Sequence, residues 1–465
     1  MIKGSSVFLN RAGLFLPVNP VVGERQLIPP GTESSIMTPS AMQSVSARRR
    51  LGLAVSALRH RNYRLYWFGQ LASVLAQNME YVAQSWLVLE LTNSPLMLGF
   101  TGLSQAIPTI TLTLVGGVIA DRADRRRIMI AAQSGVALLY FILAFLIVTK
   151  QIALWHVMTI AFISGAVRAF DRPSRMALLP HMVPKEDIPN AVAIGGTIWQ
   201  LCKLAGPALA GMLIYLFGVA LTYGLCFAGS LSATVLWVFI QLQHQPITKS
   251  SSGLLQQMKD GVNFIRDNEL YLTFIGLTFF NSVFGMSYVT LMPVFARDIL
   301  HVGSRGFGFL QSAAGGGALV GTLLAAVLSH TGRQVRQTTI GATFFGLFLM
   351  LFALSPAYTL SIALVFALGL SSQFYMTSVN QTLQLHLPEQ LRGRVMGISG
   401  LAWEVTPIGG TFAGTIAEFA GAPLAVLIGG ALVAGSALRI VLSKAKMTRL
   451  EPQMTPNHGE VRVAT

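Results

Sequence analysis

From Tyr63 onward the chain alternates between long apolar blocks and short polar interruptions. The blocks run over 65–90, 96–120, 128–149, 153–171, 190–217, 220–242, 270–297, 306–329, 338–355, 358–383, 394–419 and 422–442. A hydrocarbon core of ~30 Å takes about 20 apolar residues per helical span, and these blocks are of that order. None shows the ten-residue in-and-out alternation of a membrane barrel. Backbone inside hydrocarbon must also satisfy its own hydrogen bonds, so each block is predicted to be a helix. The expected fold is an all-α membrane protein with twelve transmembrane helices. The longest polar interval between blocks, 243–269, follows the sixth and predicts two six-helix bundles, 59–242 and 270–442, joined by a cytoplasmic linker. Residues 1–58 and 443–465 are then cytoplasmic tails. The first is interrupted by Pro17, Pro20, Pro29, Pro30 and Pro39 and lacks the apolar segment of a cleavable signal, so it reads as disordered. A start at Met42 would account for it equally well.

Composition agrees with this pattern. Of 465 residues 53% are apolar and 11% charged, against roughly 25% charged in a soluble domain, which excludes an ordinary soluble enzyme. A net charge of +15 would suggest nucleic acid in a soluble chain, but the basic residues fall on one side of the predicted membrane. They include Arg48, Arg49, Arg50, Arg59, Arg61 and Arg64 before the first block, Arg122 to Arg127 after the second, and Lys444, Lys446 and Arg449 after the last. Only Lys150, Arg297 and Arg305 fall on the other side. By the positive-inside rule both termini are cytoplasmic in a multi-pass inner-membrane protein, and no nucleic-acid partner is needed to explain the charge. Cys202 and Cys226 lie inside apolar blocks without metal-ligand spacing, so neither a disulfide nor a zinc site is expected. Weak internal similarity, Leu98-Gly99-Phe100 with Phe307-Gly308-Phe309 and GPALAG (206–211) with GGTFAG (409–414), suggests a repeat.

After the second block the chain reads GGVIADRADRRR (116–127). This resembles the signature loop of the major facilitator superfamily, with Gly117, Asp121, Arg122, Arg125 and Arg126 in its positions and Asp124 where many members have Gly. In that family the loop latches the two bundles on the cytoplasmic side. Gly206, Pro207 and Gly211 in CKLAGPALAG (202–211) are similar to the antiporter motif of the same superfamily, although Cys202 and Ala210 replace glycines. The stretches WLVLELTNSPLMLGF (86–100) and FDRPSRMALLPHMVPKEDIPNAVAI (170–194) resemble the branch containing enterobactin-type siderophore exporters and macrolide efflux proteins. The resemblance covers 60–442 and is weaker in the second half, where SHTGRQVR (329–336) keeps little of the signature loop.

Charges at membrane depth are costly and point to function. At 1.5 Å per residue from the cytoplasmic ends, Glu404 lies ~15 Å, Lys203 ~20 Å and Glu80 ~22 Å into their helices, while Arg168 and Asp171 fall near the inner end of the fourth block. Pairing of Lys203 with Glu80 would leave Glu404 able to bind and release a proton. Asn78, Tyr81, Trp199, Asn281 and Trp403, together with Gln77, are candidates to line a cavity. The resemblance implies a carrier that exports an amphipathic small molecule in exchange for protons, as a monomer in the bilayer and without a cofactor. An importer or facilitator of a nutrient is the alternative. A membrane enzyme is disfavoured because no HExxH or GxSxG occurs, and no GxxxxGK[ST] phosphate loop points to nucleotide hydrolysis.

Overall fold

The computed structural model describes residues 56–122, 124–241, 254–329 and 334–442. Side chains are described within these except at 114–122, 172, 173, 177, 254–258, 389, 390, 441 and 442. The described residues form helices and short connections, with no strand among them. The α-helices are α1 (Arg61–Thr92), α2 (Pro95–Arg122), α3 (Arg125–Val148), α4 (Leu154–Leu178), α5 (Ile188–Val238), α6 (Leu254–Asp267), α7 (Glu269–Phe280), α8 (Ser287–Val294), α9 (Gly303–Leu328), α10 (Gln334–Ala353), α11 (Tyr358–His386), α12 (Glu389–Glu404), α13 (Thr406–Ala420) and α14 (Ala422–Leu442). Among the described residues, seven helical segments are by themselves long and apolar enough to cross a membrane. They are α3, the run through α5, the run through α7 and α8, α9, α10, α11 and α14.

Every predicted block is helical, but the punctuation differs. The blocks at 190–217 and 220–242 form one helical run, α5, broken only at Gly218, whose φ of 82° and ψ of 172° turn the chain in a single residue. That conformation is open to glycine and strained for other residues. The block at 270–297 is interrupted by two π-turns, Asn281–Gly285 and Phe295–Ile299. The block at 394–419 breaks at Val405, just before Pro407, so α12 and α13 are 16 and 15 residues long. The fourth block does not end at 171. The polar run Asp171-Arg172-Pro173-Ser174-Arg175 remains helical and α4 continues to Leu178. The interval read as a plain linker contains the amphipathic helix α6, which docks on α12: Asp260 accepts from Arg394 at 2.9 Å, and a Cβ on Gly261 would lie 2.9 Å from Ile398. The expected tails at 1–58 and 443–465 lie almost wholly outside the described residues.

The two ends of the structure are distinguished by its hydrogen bonds. Tyr63 donates to the Ala191 carbonyl at 2.7 Å and Asn62 to that of Gln241, so the start of α1 and both ends of α5 share one face, called proximal here. The opposite, distal face carries the connections after α1, α3 and α8. Near the proximal face a core forms around Tyr63, Tyr66, Met129 and Trp237, and Trp237 packs so closely on Gly69 that a Cβ there would overlap it.

Helices before residue 240 meet helices after 269 mainly along two pairs, α5 with α9 and α2 with α13. In apolar surroundings such seams depend on close packing between small residues. A Cβ on Gly211 would lie 2.6 Å from the Ser304 carbonyl oxygen and 2.8 Å from the Gly308 Cα, and one on Gly414 2.7 Å from the Pro95 carbonyl. Pro207 cannot donate to the carbonyl of Lys203, four residues earlier. A Cβ on Gly315 would lie 2.5 Å from that oxygen, so a bare glycine backbone is what covers the freed carbonyl.

This packing predicts a contrast between two glycines of one helix. Gly224 has nothing within 4 Å of where a Cβ would lie, and Gly224→Ala should leave thermal stability unchanged or raise it by up to about 1 kcal/mol. Gly211→Ala should cost about 1–3 kcal/mol, because only backbone faces the new methyl. Thermal unfolding of the two purified variants checks the difference; equal melting temperatures would refute the seam packing.

Candidate functional site

A cavity of about 290 Å³ lies between α1 and α2 on one side and the turn into α8, α8, α12 and α13 on the other. Tyr81, Gln84, Ser85, Gln105, Met286, Thr290, Trp403 and Thr406 contribute to its wall, and no charged side chain does. The Thr406 hydroxyl is buried without a hydrogen-bond partner. The wall is thus amphipathic: two aromatic rings, two carboxamides and several hydroxyls among aliphatic groups. Of the cavity candidates read from sequence, the structure brings together Tyr81 and Trp403. Asn78 instead donates to the Val74 carbonyl of its own helix at 2.8 Å and packs on Gly206. Trp199 is half-exposed away from this cavity. Asn281 is fully buried at the first π-turn, with neither atom of its carboxamide partnered.

On the distal side two polar bridges join α1 and α2 to later helices. Arg297 donates to the Leu89 carbonyl at 3.0 Å and to Asn93 Oδ1 at 2.8 Å. Glu418 accepts from the Ser94 hydroxyl at 2.7 Å and from the Leu96 amide at 3.3 Å, close to the positive end of α2. Trp86 stacks on Phe307 at 6.3 Å. The connection at Asn93-Ser94 is therefore held from both sides.

The deep charges are arranged otherwise than expected. Glu80 pairs with Arg168, not Lys203: Nη2 of Arg168 lies 3.2 Å from its carboxylate and 3.1 Å from the Tyr140 hydroxyl, while Nε donates to Ser164 at 3.1 Å. The reason is the length of α4. With its end at Leu178, Arg168 lies ten residues inside the helix, ~15 Å from that end. Lys203 has no acidic partner among the described residues and lines neither cavity described here. Glu404 is half-buried where α12 ends, between cavity residues Trp403 and Thr406, and it is not unpaired.

Sequence reasoning missed a second buried cation, Arg175. Its Nε and Nη2 lie 2.7 Å from the Asp171 carboxylate, and it donates to Gln70 at 2.6 Å and Gln133 at 2.9 Å. Its guanidinium stands 4.4 Å above the Trp237 ring. One side chain thereby ties together α1, α3, α4 and α5. The i, i+4 spacing of Asp171 and Arg175 was a usable signal, hidden by reading the polar run as a loop.

The signature-loop residues are only partly described. The side chains of Gly117, Asp121 and Arg122 lie outside the described residues. Asp124, the departure from the family pattern, is the N-cap of α3, accepting from the amides of Arg126 at 2.9 Å and Arg127 at 3.3 Å. Arg126 donates to the Val238 carbonyl at the end of α5. His181, outside the membrane-spanning helices, lies near Arg125 at the start of α3. Burial first and the Arg125 charge second push that imidazole below its usual pKa. The antiporter-motif residues Gly206, Pro207 and Gly211 lie on α5, with Gly211 and the Pro207 carbonyl directly against Gly308 of α9.

The chain has well-matched relatives. It is 22% identical over 373 residues to macrolide efflux protein A of Streptococcus pyogenes, covering 79% of this chain and 92% of that protein. It is 23% identical to the enterobactin exporter EntS of Escherichia coli O157:H7, covering 86% and 96%, and 23% identical to the staphyloferrin A transporter of Staphylococcus aureus, covering 70% and 82%. The fold is shared with solved structures at 12% identity. One is a POT family transporter in complex with a thioalcohol-conjugated peptide, with TM-score 0.66 and coverage of 83% of this chain and 97% of that one. Another is a bacterial homologue of the human lysosomal transporter Spinster in an inward-facing, unoccupied conformation, with TM-score 0.63 and coverage of 86% and 98%. The family model described as transmembrane secretion effector matches residues 53–462, and the chain belongs to that family of major facilitator membrane transporters, which are not enzymes.

Proposed function

We propose that this transporter exports an amphipathic small molecule of the drug or siderophore class across the cytoplasmic membrane, in exchange for protons, as a monomer that alternates access to one central site. The observation that carries this reading is the uncharged amphipathic cavity between early and late helices, bridged on its distal side by Arg297 and Glu418. Twelve spans in two six-helix halves would meet at the α5–α9 and α2–α13 seams. The distal face is the outer one, because it carries few basic residues, and both ends of the chain lie in the cytoplasm. In this arrangement cargo enters from the proximal side. Separation of Arg297 from Asn93 and of Glu418 from Ser94 then opens the outer exit. The printed names of the relatives, which concern macrolides, enterobactin and staphyloferrin, are compatible with such a cargo.

The two deep acids have different roles in this reading. Glu80, held by Arg168 and not itself in the cavity wall, fixes α1 to α4. Glu404, at the break between α12 and α13 and next to Trp403, is the group that takes up and releases the proton. Its backbone position at a helix break lets its surroundings change when α13 moves against α2.

Three outcomes are expected. In inverted vesicles, Glu404→Gln should lower pH-gradient-driven uptake roughly tenfold or more while leaving substrate counterflow intact; full gradient-driven uptake would end the coupling role. Glu80→Gln should cost about 3–5 kcal/mol of stability by stranding Arg168, whereas Glu80→Leu combined with Arg168→Met should recover most of that loss. A double-mutant cycle by thermal unfolding measures it, and additive single losses would sink the pairing. Tyr81→Ala and Trp403→Ala should each raise the KM of efflux about tenfold or more with a smaller change in kcat. A kcat-only effect in transport assays would place the cargo elsewhere.

A further inference from the structure

A second, larger hollow opens on the outside of the helix assembly, away from the central cavity. It measures about 660 Å³ and lies in the angle between α5, α9 and α11. Leu204 and Phe366 form its sides, both partly exposed, and Gly316 its floor. Its distal end is marked by Arg305, an exposed cation in the first turn of α9 whose guanidinium lies 5.9 Å from the Phe309 ring.

Three features point to one kind of occupant. From Arg305 to Gly316 is eleven residues of helix, ~16 Å, about the thickness of one leaflet of a ~30 Å hydrocarbon core. The walls below Arg305 are almost wholly apolar; the one serine there, Ser312, keeps its hydroxyl buried and without a partner. The mouth is electropositive. Arg305 has no carboxylate partner among the described residues, the nearby Asp298 is taken by Arg297 at 2.6 Å, and the first turn of α9 has neither an acidic residue nor a side-chain cap. Free amides at that helix end add to the positive field.

We propose that this groove binds an anionic phospholipid, its phosphate at Arg305 and the first turn of α9, and one acyl chain lying along α9 over Gly316. The fit of length places the ligand in the distal leaflet. Because Leu204 belongs to α5 and the rest of the groove to α9 and α11, the lipid lies across the α5–α9 seam.

The test uses the full chain purified in detergent. Native mass spectrometry measures retention of phosphatidylglycerol and phosphatidylcholine with matched chains, with thermal unfolding as a check of folding. The wild type should retain phosphatidylglycerol about tenfold more than phosphatidylcholine, the value of one charge-assisted contact. Arg305→Gln, a surface change that the fold should tolerate, should abolish that preference while keeping weak binding of both lipids. Gly316→Leu should weaken both lipids alike. Gly316→Ala, whose methyl would lie at ordinary distances of 3.5 Å from Leu204 and 3.6 Å from Phe366, should fall between, so the groove stays testable if the leucine variant misfolds. Absence of headgroup preference in the wild type, preference surviving in Arg305→Gln, or lipid retention unchanged by both glycine variants would each overturn the proposal. Displacement of the lipid by sn-glycerol 3-phosphate as effectively as by phosphatidylglycerol would overturn it too, assigning the site to a soluble anion.

Discussion

A carbonyl oxygen in apolar surroundings must find a donor in its own helix or be shielded by something small. At several breaks in the helical ladder of this chain, a glycine from a neighbouring helix lies over the exposed carbonyl. Gly315 covers the Lys203 carbonyl freed by Pro207, and Gly165 packs on the Gln105 carbonyl and on Pro108. Gly409 and Gly429 cover the π-turn carbonyls of Val283 and Phe284. These contacts fix which helices stand side by side and how close they come. Seams built this way are held by shape and weak Cα–H to oxygen contacts. They are well suited to faces that must separate and close again without desolvating charge.

Polarity is distributed unequally over the two parts of the chain. The early helices bury two ion-paired clusters, Glu80 with Arg168 and Asp171 with Arg175, each surrounded by side-chain donors and acceptors. At the corresponding depth the later helices hold aromatic contacts such as Phe345 with Tyr375 at 6.1 Å and Tyr288 with Phe345 at 6.3 Å. Buried neutral groups without partners occur in both parts, Tyr223 and Ser230 early and Asn281, Ser282 and Thr338 later. Buried ion pairs of good geometry resist rearrangement, since parting them leaves a bare charge. Neutral groups without partners and π-turns cost less to rearrange, and the interruptions at 281–285, 295–299 and 405 all fall in this later part.

Much of the fold was legible in the sequence because apolar blocks of membrane length admit few conformations. The helical character of every block and the antiparallel order followed from pattern and spacing, and Gly206, Pro207 and Gly211 stand out by their resemblance to a family motif. What stayed hidden followed from physical causes that pattern does not carry. The run at 171–175 looks like a loop because it is charged, yet Asp171 and Arg175 pair along the helix and Arg175 is met by Gln70 and Gln133 of other helices, so the run stays helical and carries Arg168 to mid-depth. Gly218 makes in one residue the turn that the pattern of blocks gives to two, 218 and 219. The helix at 254–267 has too few apolar positions to stand out until its face meets α12. Pairing of Glu80 could not be read from depth along single helices, because it depends on rotation about the axes of α1 and α4.

The single-residue turn at Gly218 belongs to a wider economy of the distal face. Its connections are the two residues Asn93-Ser94, 149–153, Gly218, 300–302, 354–357 and Gly421, several of them turned by left-handed residues such as Asn93, Lys150 and His301. None is longer than five residues. A protease, an antibody or an inserted tag needs several residues of pliant chain to seat in a cleft, and this face offers almost none. From that side the transporter would be close to invisible, and any recognition there would have to read helix ends and the cargo exit instead of loops.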